Sequence, residues 1–281
     1  MIDQIQSNPD CVYETPFNDL IRKDNYVPSQ MSVILKKGMI KTGVNEIMAG
    51  RIYNYFGVKT SYDMPVNVDG NMGVLSVDVV GDGQTIQSFL DLGIPLEYIL
   101  EIDVKNIANK LYKLYKYKRM NSDNVVDAEE FEKCVENFVE SYIYEFLVKR
   151  YVVGDTDVHV GNANAIIDEQ FRVLPCPVLD KELSFIMRHW NKSEMLRNLT
   201  FVRENYPRVY KRFQNKVQEF SSMNDMGEYE YVRVLDKNMS ILRPYSADGI
   251  KYVAESLNNV KSACVEVNHS SFAISRYRDG E

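Results

Sequence analysis

The chain has 281 residues, 45% of them apolar and 11% aromatic, with a formal net charge of −7. That suffices for one large domain or two lobes around a real core, and the acidic balance argues against nucleic-acid binding as the main task, which needs a basic face. No apolar run reaches the roughly 18 residues of a membrane span; Cys11, Cys134, Cys176 and Cys264 form no C-x2-C pair and only three histidines exist, so no zinc site is expected and a reducing compartment is the simpler reading.

In chain order, Ser32–Lys36 is a β-rich run ending in lysine. Strand side chains alternate, so Val33 and Leu35 share one face and Ile34 and Lys36 the other, which selects Lys36 over Lys37. Asn45–Phe56 carries apolar residues at Ile47, Met48, Ile52, Tyr55 and Phe56, a helical period that Gly57 is placed to stop. Glu46 falls near the expected start of this helix, where the dipole favours a carboxylate. Gly73–Val80 reads as a strand emptying into Gly81-Asp-Gly83. The β-rich portion, residues 1–91, then gives way to a helical portion, residues 92–281, with helices expected over Val104–Lys118 and, behind Asp127 as N-cap, over Ala128–Arg150. The basic stretch Lys110–Arg119 is read as the solvated face of an amphipathic helix.

The apolar stretch 144–153 leads from that helix to a turn at Gly154-Asp-Thr-Asp-Val-His-Val-Gly-Asn162. A hairpin follows: strand Asn164–Ile167, a turn from Asp168, strand Phe171–Leu174. It would return Asp180 beside Asn162. Further helices are expected near 193–202, 206–222 and 248–260; Glu228–Leu235 stays open between extended and helical.

Asp157 and Asn162 have four residues between them, and Asp180 follows. That order serves phosphoryl transfer from a metal-bound nucleotide: the first aspartate orients the attacking hydroxyl and takes its proton, while an amide oxygen and a second carboxylate hold Mg²⁺, a hard cation that prefers oxygen ligands. The spacing recurs by chance at Asp3 and Asn8, where no hairpin or later acid surrounds it. Each residue also has a plainer reading: Asp157 as a turn residue, Asn162 as a left-handed turn residue after Gly161, Asp180 as the cap of Lys181–Arg188. His159 is read as a brace of the loop. A strand lysine, Lys36, paired to a helix glutamate, Glu46, would hold the α- and β-phosphates of ATP. The backbone of Val77-Asp78-Val79 would read an adenine edge.

Taken together, these segments resemble the HipA-like branch of the protein-kinase-like superfamily: Ile34-Leu-Lys36 with Asn45-Glu46 as its lysine strand and glutamate helix, Gly154–Asn162 as its catalytic loop, with a histidine between the aspartate and the asparagine, and Cys176–Asp180 as its metal-binding segment. The resemblance covers roughly residues 30 to 190. It implies an α+β, two-lobed kinase using ATP and Mg²⁺ to phosphorylate Ser or Thr on a protein, often bacterial and sometimes a toxin or secreted effector. The N-terminus shows no basic region followed by an apolar core, so the expected location is cytoplasmic unless delivery uses another signal. Residues 24–33 contain no glycine where the family's phosphate-covering loop falls, which keeps two alternatives open: a pseudokinase or binding scaffold, and a small-molecule kinase.

Overall fold

A computed structural model of the chain describes residues 33–37, 40–61, 63–68, 71–77, 83–89, 104–118, 127–155, 163–179, 181, 183–185, 191–224 and 243–278. Val33–Lys37 forms β1, Ile40–Phe56 forms α1, and Asp63–Val68 and Asn71–Val77 form β2 and β3. Only Asp69 and Gly70 separate the last two strands, a pair of residue types that favours a two-residue hairpin. The antiparallel sheet has the order β1-β3-β2, with Lys36 opposite Val74 and Lys37 opposite Gly73. The strand that begins the segment is therefore hydrogen-bonded to the strand that ends it.

The helix α1 lies against β2 and β3. It is buried on several sides, through Ile47, Met48, Ala49, Ile52, Tyr53 and Phe56, together with Asn45 and Glu46. Its stop is the expected one. Gly57 adopts φ 72°, its N–H donates to the carbonyl of Asn54, and the N–H of Val58 donates to the carbonyl of Tyr53. This double closure is the left-handed helix ending for which glycine carries no Cβ penalty. The start differs from the expectation: the helix begins at Ile40 and has no acidic residue in its first turn. Glu46 thus sits beyond the reach of the dipole, which fades within one turn.

A second antiparallel sheet joins distant parts of the chain: Thr85–Ser88 (β4), Asn164–Ile167 (β5) and Val173–Pro175 (β6), in the order β4-β5-β6. The β5–β6 hairpin is the one the sequence predicts. Asp168 closes it, its carboxylate accepting from the N–H groups of Gln170 and Arg172 and from Arg172 Nε at 2.8 Å. The pairing of β4 with β5 was not anticipated; it carries residues 85–88 out of the first sheet's hydrogen bonding.

The remaining described elements are helices: α2 (Val104–Lys118), α3 (Ala128–Leu147), α4 (Lys192–Asn205), α5 (Pro207–Asn224) and α6 (Arg243–Arg278). The apolar stripe of α3 is buried at Phe131, Val135, Phe138, Val139 and Tyr142, as its spacing predicts. Asp127 occupies its N-cap position without a side-chain cap hydrogen bond, so its expected capping role reduces to position alone. One core cluster runs from α1 through α2, α3 and the second sheet to α4, α5 and α6. The class is α+β, as expected. No described helix is long and apolar enough to cross a membrane. The open segment Glu228–Leu235 lies outside the described residues.

Candidate active site

The frame around the motif loop begins at the end of α3. The helix does not run to Arg150 as expected; at Val148 it widens into a π-helical turn that lasts to Val153. Such turns are rare and tend to occur at functional positions. Gly154 ends the turn at φ 64°, and the carbonyl of Lys149 accepts the N–H groups of both Gly154 and Asp155. A Cβ at Gly154 would run into the Tyr252 ring, so both conformation and space require glycine. Asp155 is fully buried and pairs with Lys149 at 3.5 Å. Asp155 thus anchors the chain at the start of the sequence motif, two residues ahead of Asp157.

Beyond the loop the chain is equally fixed. The carbonyl of Ala163 accepts the N–H of Phe89 at 2.8 Å, and Asn164 begins β5. The hairpin then leads to Cys176–Leu179. There Val178 pairs in parallel with Thr60: Ser61 N–H donates to Val178 O and Val178 N–H to Lys59 O, both at 3.0 Å. Glu145, Lys149, Asn164, Cys176, Val178 and Leu179 line one cleft. Asn164, two residues after Asn162, and Leu179, which precedes Asp180, thus line the same cleft.

After Leu179 the chain is clamped. The Lys181 ammonium is 0% exposed and lies 2.7 Å from Asp63 Oδ2, whose side chain is 2% exposed. It also donates to Ser61 Oγ at 2.6 Å and to the Val178 carbonyl at 3.2 Å. The next turn binds back to the two elements that matter most: Asn45 Nδ2 donates to Ser184 O at 3.1 Å, and Phe185 N–H donates to Val153 O at 3.0 Å. One segment thus connects the glutamate helix to the start of the motif loop. Glu46 is 1% exposed. It shares a helix face with Gly50, four residues on, where an added Cβ would touch Lys181 Cε at 3.4 Å and Asp63 Oδ2 at 3.5 Å.

Two groups in the cleft are electrostatically unusual. Burial pushes the Glu145 carboxyl up to about 7, with Lys149 opposing the shift. Burial, aided by Glu145, pushes the Cys176 thiol up to about 12, so it stays protonated and is no nucleophile. Tyr53 is raised well above its ordinary value by burial and by the charges of Asp155 and Glu145. A carboxyl that titrates near 4.5 when unfolded and near 7 when folded holds its proton longer in the native state, so from this group stability falls as pH rises from about 4.5 to 7. Glu145→Gln has no charge to acquire. We expect it to be more stable than wild type at pH 8 by up to about 3 kcal/mol, with the difference shrinking towards pH 4.5. Urea unfolding at several pH values measures this; equal stability at pH 8 would contradict it.

The predicted residues divide clearly. Glu46 is described by its place in α1 and its burial, and Lys36 and Val77 by their backbone register in β1 and β3. Asp157, His159, Asn162, Asp180, Asp78 and Val79 lie outside the described residues. Sequence reasoning missed Lys181, Asp63, Ser61, Asn45, Lys149, Asp155 and Glu145. Asp155 had a readable signal in its place directly after a turn glycine; the partners of Lys181 did not, since Ser61 is 120 residues away. Among the described residues no group of three His, Cys, Asp or Glu side chains could hold a metal ion.

No protein-family model and no curated protein sequence matches the chain. Among solved structures it is similar to the Helicobacter pylori proinflammatory kinase CtkA, with 13% identity and a TM-score of 0.43, covering 86% of this chain and 91% of that one. It is also similar to HipA of the Shewanella oneidensis MR-1 toxin–antitoxin system, solved with HipB and operator DNA, with 14% identity and a TM-score of 0.47. That match covers 84% of this chain, which spans 59% of the HipA chain.

Proposed function

We propose that this chain is a HipA-like kinase of two-lobed, kinase-like layout that uses ATP and Mg²⁺ to phosphorylate a Ser or Thr hydroxyl on a protein. The observation that carries the proposal is convergence. The strand bearing Lys36 is paired with the strand that runs out at Val77, and the helix bearing the buried Glu46 is bonded through Asn45 to Ser184. That same segment is bonded through Phe185 to Val153, at the start of the motif loop. Nucleotide base, phosphates and acceptor must be addressed from neighbouring elements, and these elements are neighbours.

Roles follow from the chemistry. Lys36, oriented by Glu46, holds the α- and β-phosphates, and the backbone at Val77-Asp78-Val79 receives the adenine. Asn162 and Asp180 hold the metal. Mg²⁺ takes one or two protein oxygens and completes its shell with phosphates and water, so one oxygen from Asn162 and one from Asp180 would suffice without a larger acidic cluster. When bound, the metal neutralises charge on the phosphates. Asp157 orients the attacking hydroxyl and accepts its proton, and His159 braces the loop. Catalysis of this kind is mostly positioning and charge stabilisation, which suits a loop anchored at both ends.

Binding to the folded state must raise the melting temperature: ligand at 100 times its dissociation constant adds about 2.7 kcal/mol. We expect a rise with millimolar ATP and MgCl₂ together, larger than with ATP in EDTA. No shift, with calorimetry also silent, would contradict the reading. A scaffold that retains the frame without transferring phosphate is the second reading, favoured by the lack of glycine in residues 24–33. A magnesium-dependent shift without transfer of label from γ-labelled ATP would select it.

A further inference from the structure

We propose that Lys181, Asp63 and Ser61 are positioning residues for the metal, a clamp that sets Asp180 against the cleft; this rests on the kinase reading above. An ammonium has three N–H donors, and the structure uses them on Asp63 Oδ2, Ser61 Oγ and the Val178 carbonyl, with the Leu179 carbonyl at 3.4 Å sharing the last. Ser61 Oγ in turn donates to Asp63 Oδ1 at 3.1 Å. Lys181 therefore binds the two residues that precede Asp180 in register, Val178 and Leu179, and is itself the residue that follows it. The backbone on both sides of Asp180 is tied to one buried point.

An ion pair is a poor choice if stability alone is wanted, because apolar residues of similar volume often do as well in a dry interior. What the pair supplies is direction: each hydrogen bond has one geometry, and together they leave the lysine one position. The location adds to this. Asp63 begins β2, and the clamp borders Gly50, on the face of α1 that also bears Glu46: a Cβ there would meet Lys181 Cε and Asp63 Oδ2 at ordinary contact distance. Groups that orient metal ligands without touching the metal typically change metal affinity 10- to 100-fold when removed.

The test removes both charges together. The Lys181→Met, Asp63→Leu pair leaves no uncompensated ion and is compared with Ser61→Ala, which keeps the ion pair and loses the two bonds of the hydroxyl, from Lys181 and to Asp63. Both are checked for fold by circular dichroism. Calorimetry then gives ATP affinity in EDTA and the Mg²⁺ concentration for half-maximal ATP binding. We expect ATP affinity in EDTA close to wild type, with the magnesium requirement raised about tenfold or more in the charge-free pair and by a smaller factor in Ser61→Ala. A wild-type magnesium requirement in the folded pair, or in Ser61→Ala if the pair does not fold, overturns this inference alone. Wild-type protein without magnesium-dependent ATP binding overturns the kinase reading and the clamp's role with it.

Discussion

Asp157→Asn is expected to abolish phosphoryl transfer while leaving ATP affinity nearly intact. The side chains are similar in size, and the anchors on either side, Asp155 with Lys149 and Ala163 with Phe89, do not involve residue 157. On the proposed role, what is lost is the charge that would orient the hydroxyl and accept its proton, a contribution of about 10²- to 10⁴-fold in rate. Asp180→Asn should behave differently. On the proposed role it removes the charge that would hold the metal, so both Mg²⁺–ATP binding and turnover should fall. Transfer from γ-labelled ATP to the protein itself and to a generic basic protein, with calorimetry alongside, separates the two patterns. Activity of Asp157→Asn equal to wild type would mean that the loop has been assigned the wrong role.

Lys181→Met should be the most destabilising single change in the frame. It leaves the Asp63 carboxylate in a site where its side chain is 2% exposed, and breaking a buried pair from one side costs about 3–5 kcal/mol. The surface offers a matched control. Lys192 and Glu266 also meet at 2.7 Å, with side chains 68% and 48% exposed, and exposed pairs are worth about 0–1 kcal/mol. Denaturant unfolding of Lys181→Met and Lys192→Met should therefore differ several-fold in lost stability. Similar losses would show that the clamp is not closed in solution.

What the sequence showed was local. The limits of α2, the buried stripe of α3, the glycine stop at Gly57 and the β5–β6 hairpin all follow from periodicity and turn chemistry within a few residues. Interactions between distant segments were not legible. Nothing in the run around Lys181 marks it as a buried cation, because its partners Asp63 and Ser61 come from the first residue of a strand and the segment just before it, far up the chain. Strand pairing failed for the same reason: a period of two shows which face is apolar and says nothing about the partner, so the union of β4 with β5 had no local sign. The start of α1 was placed late because Lys41, Thr42 and Gly43 interrupt its apolar pattern. The π-helical turn escaped notice because Val148–Val153 is apolar enough to continue an ordinary helix. Of the candidate site, Asp157, His159, Asn162 and Asp180 lie outside the described residues, and the bonds that frame the chain on either side of them were not readable in the sequence.

The central claim is that one nucleotide and its metal occupy the space between residues 33–80 and 154–181. A crystal structure of the protein with a non-hydrolysable ATP analogue and Mg²⁺ tests it most directly. The account predicts the base against the backbone of Val77-Asp78-Val79, the α- and β-phosphates at Lys36, and the metal on Asn162 and Asp180. A nucleotide bound elsewhere, or a metal held without either of those two residues, would contradict it.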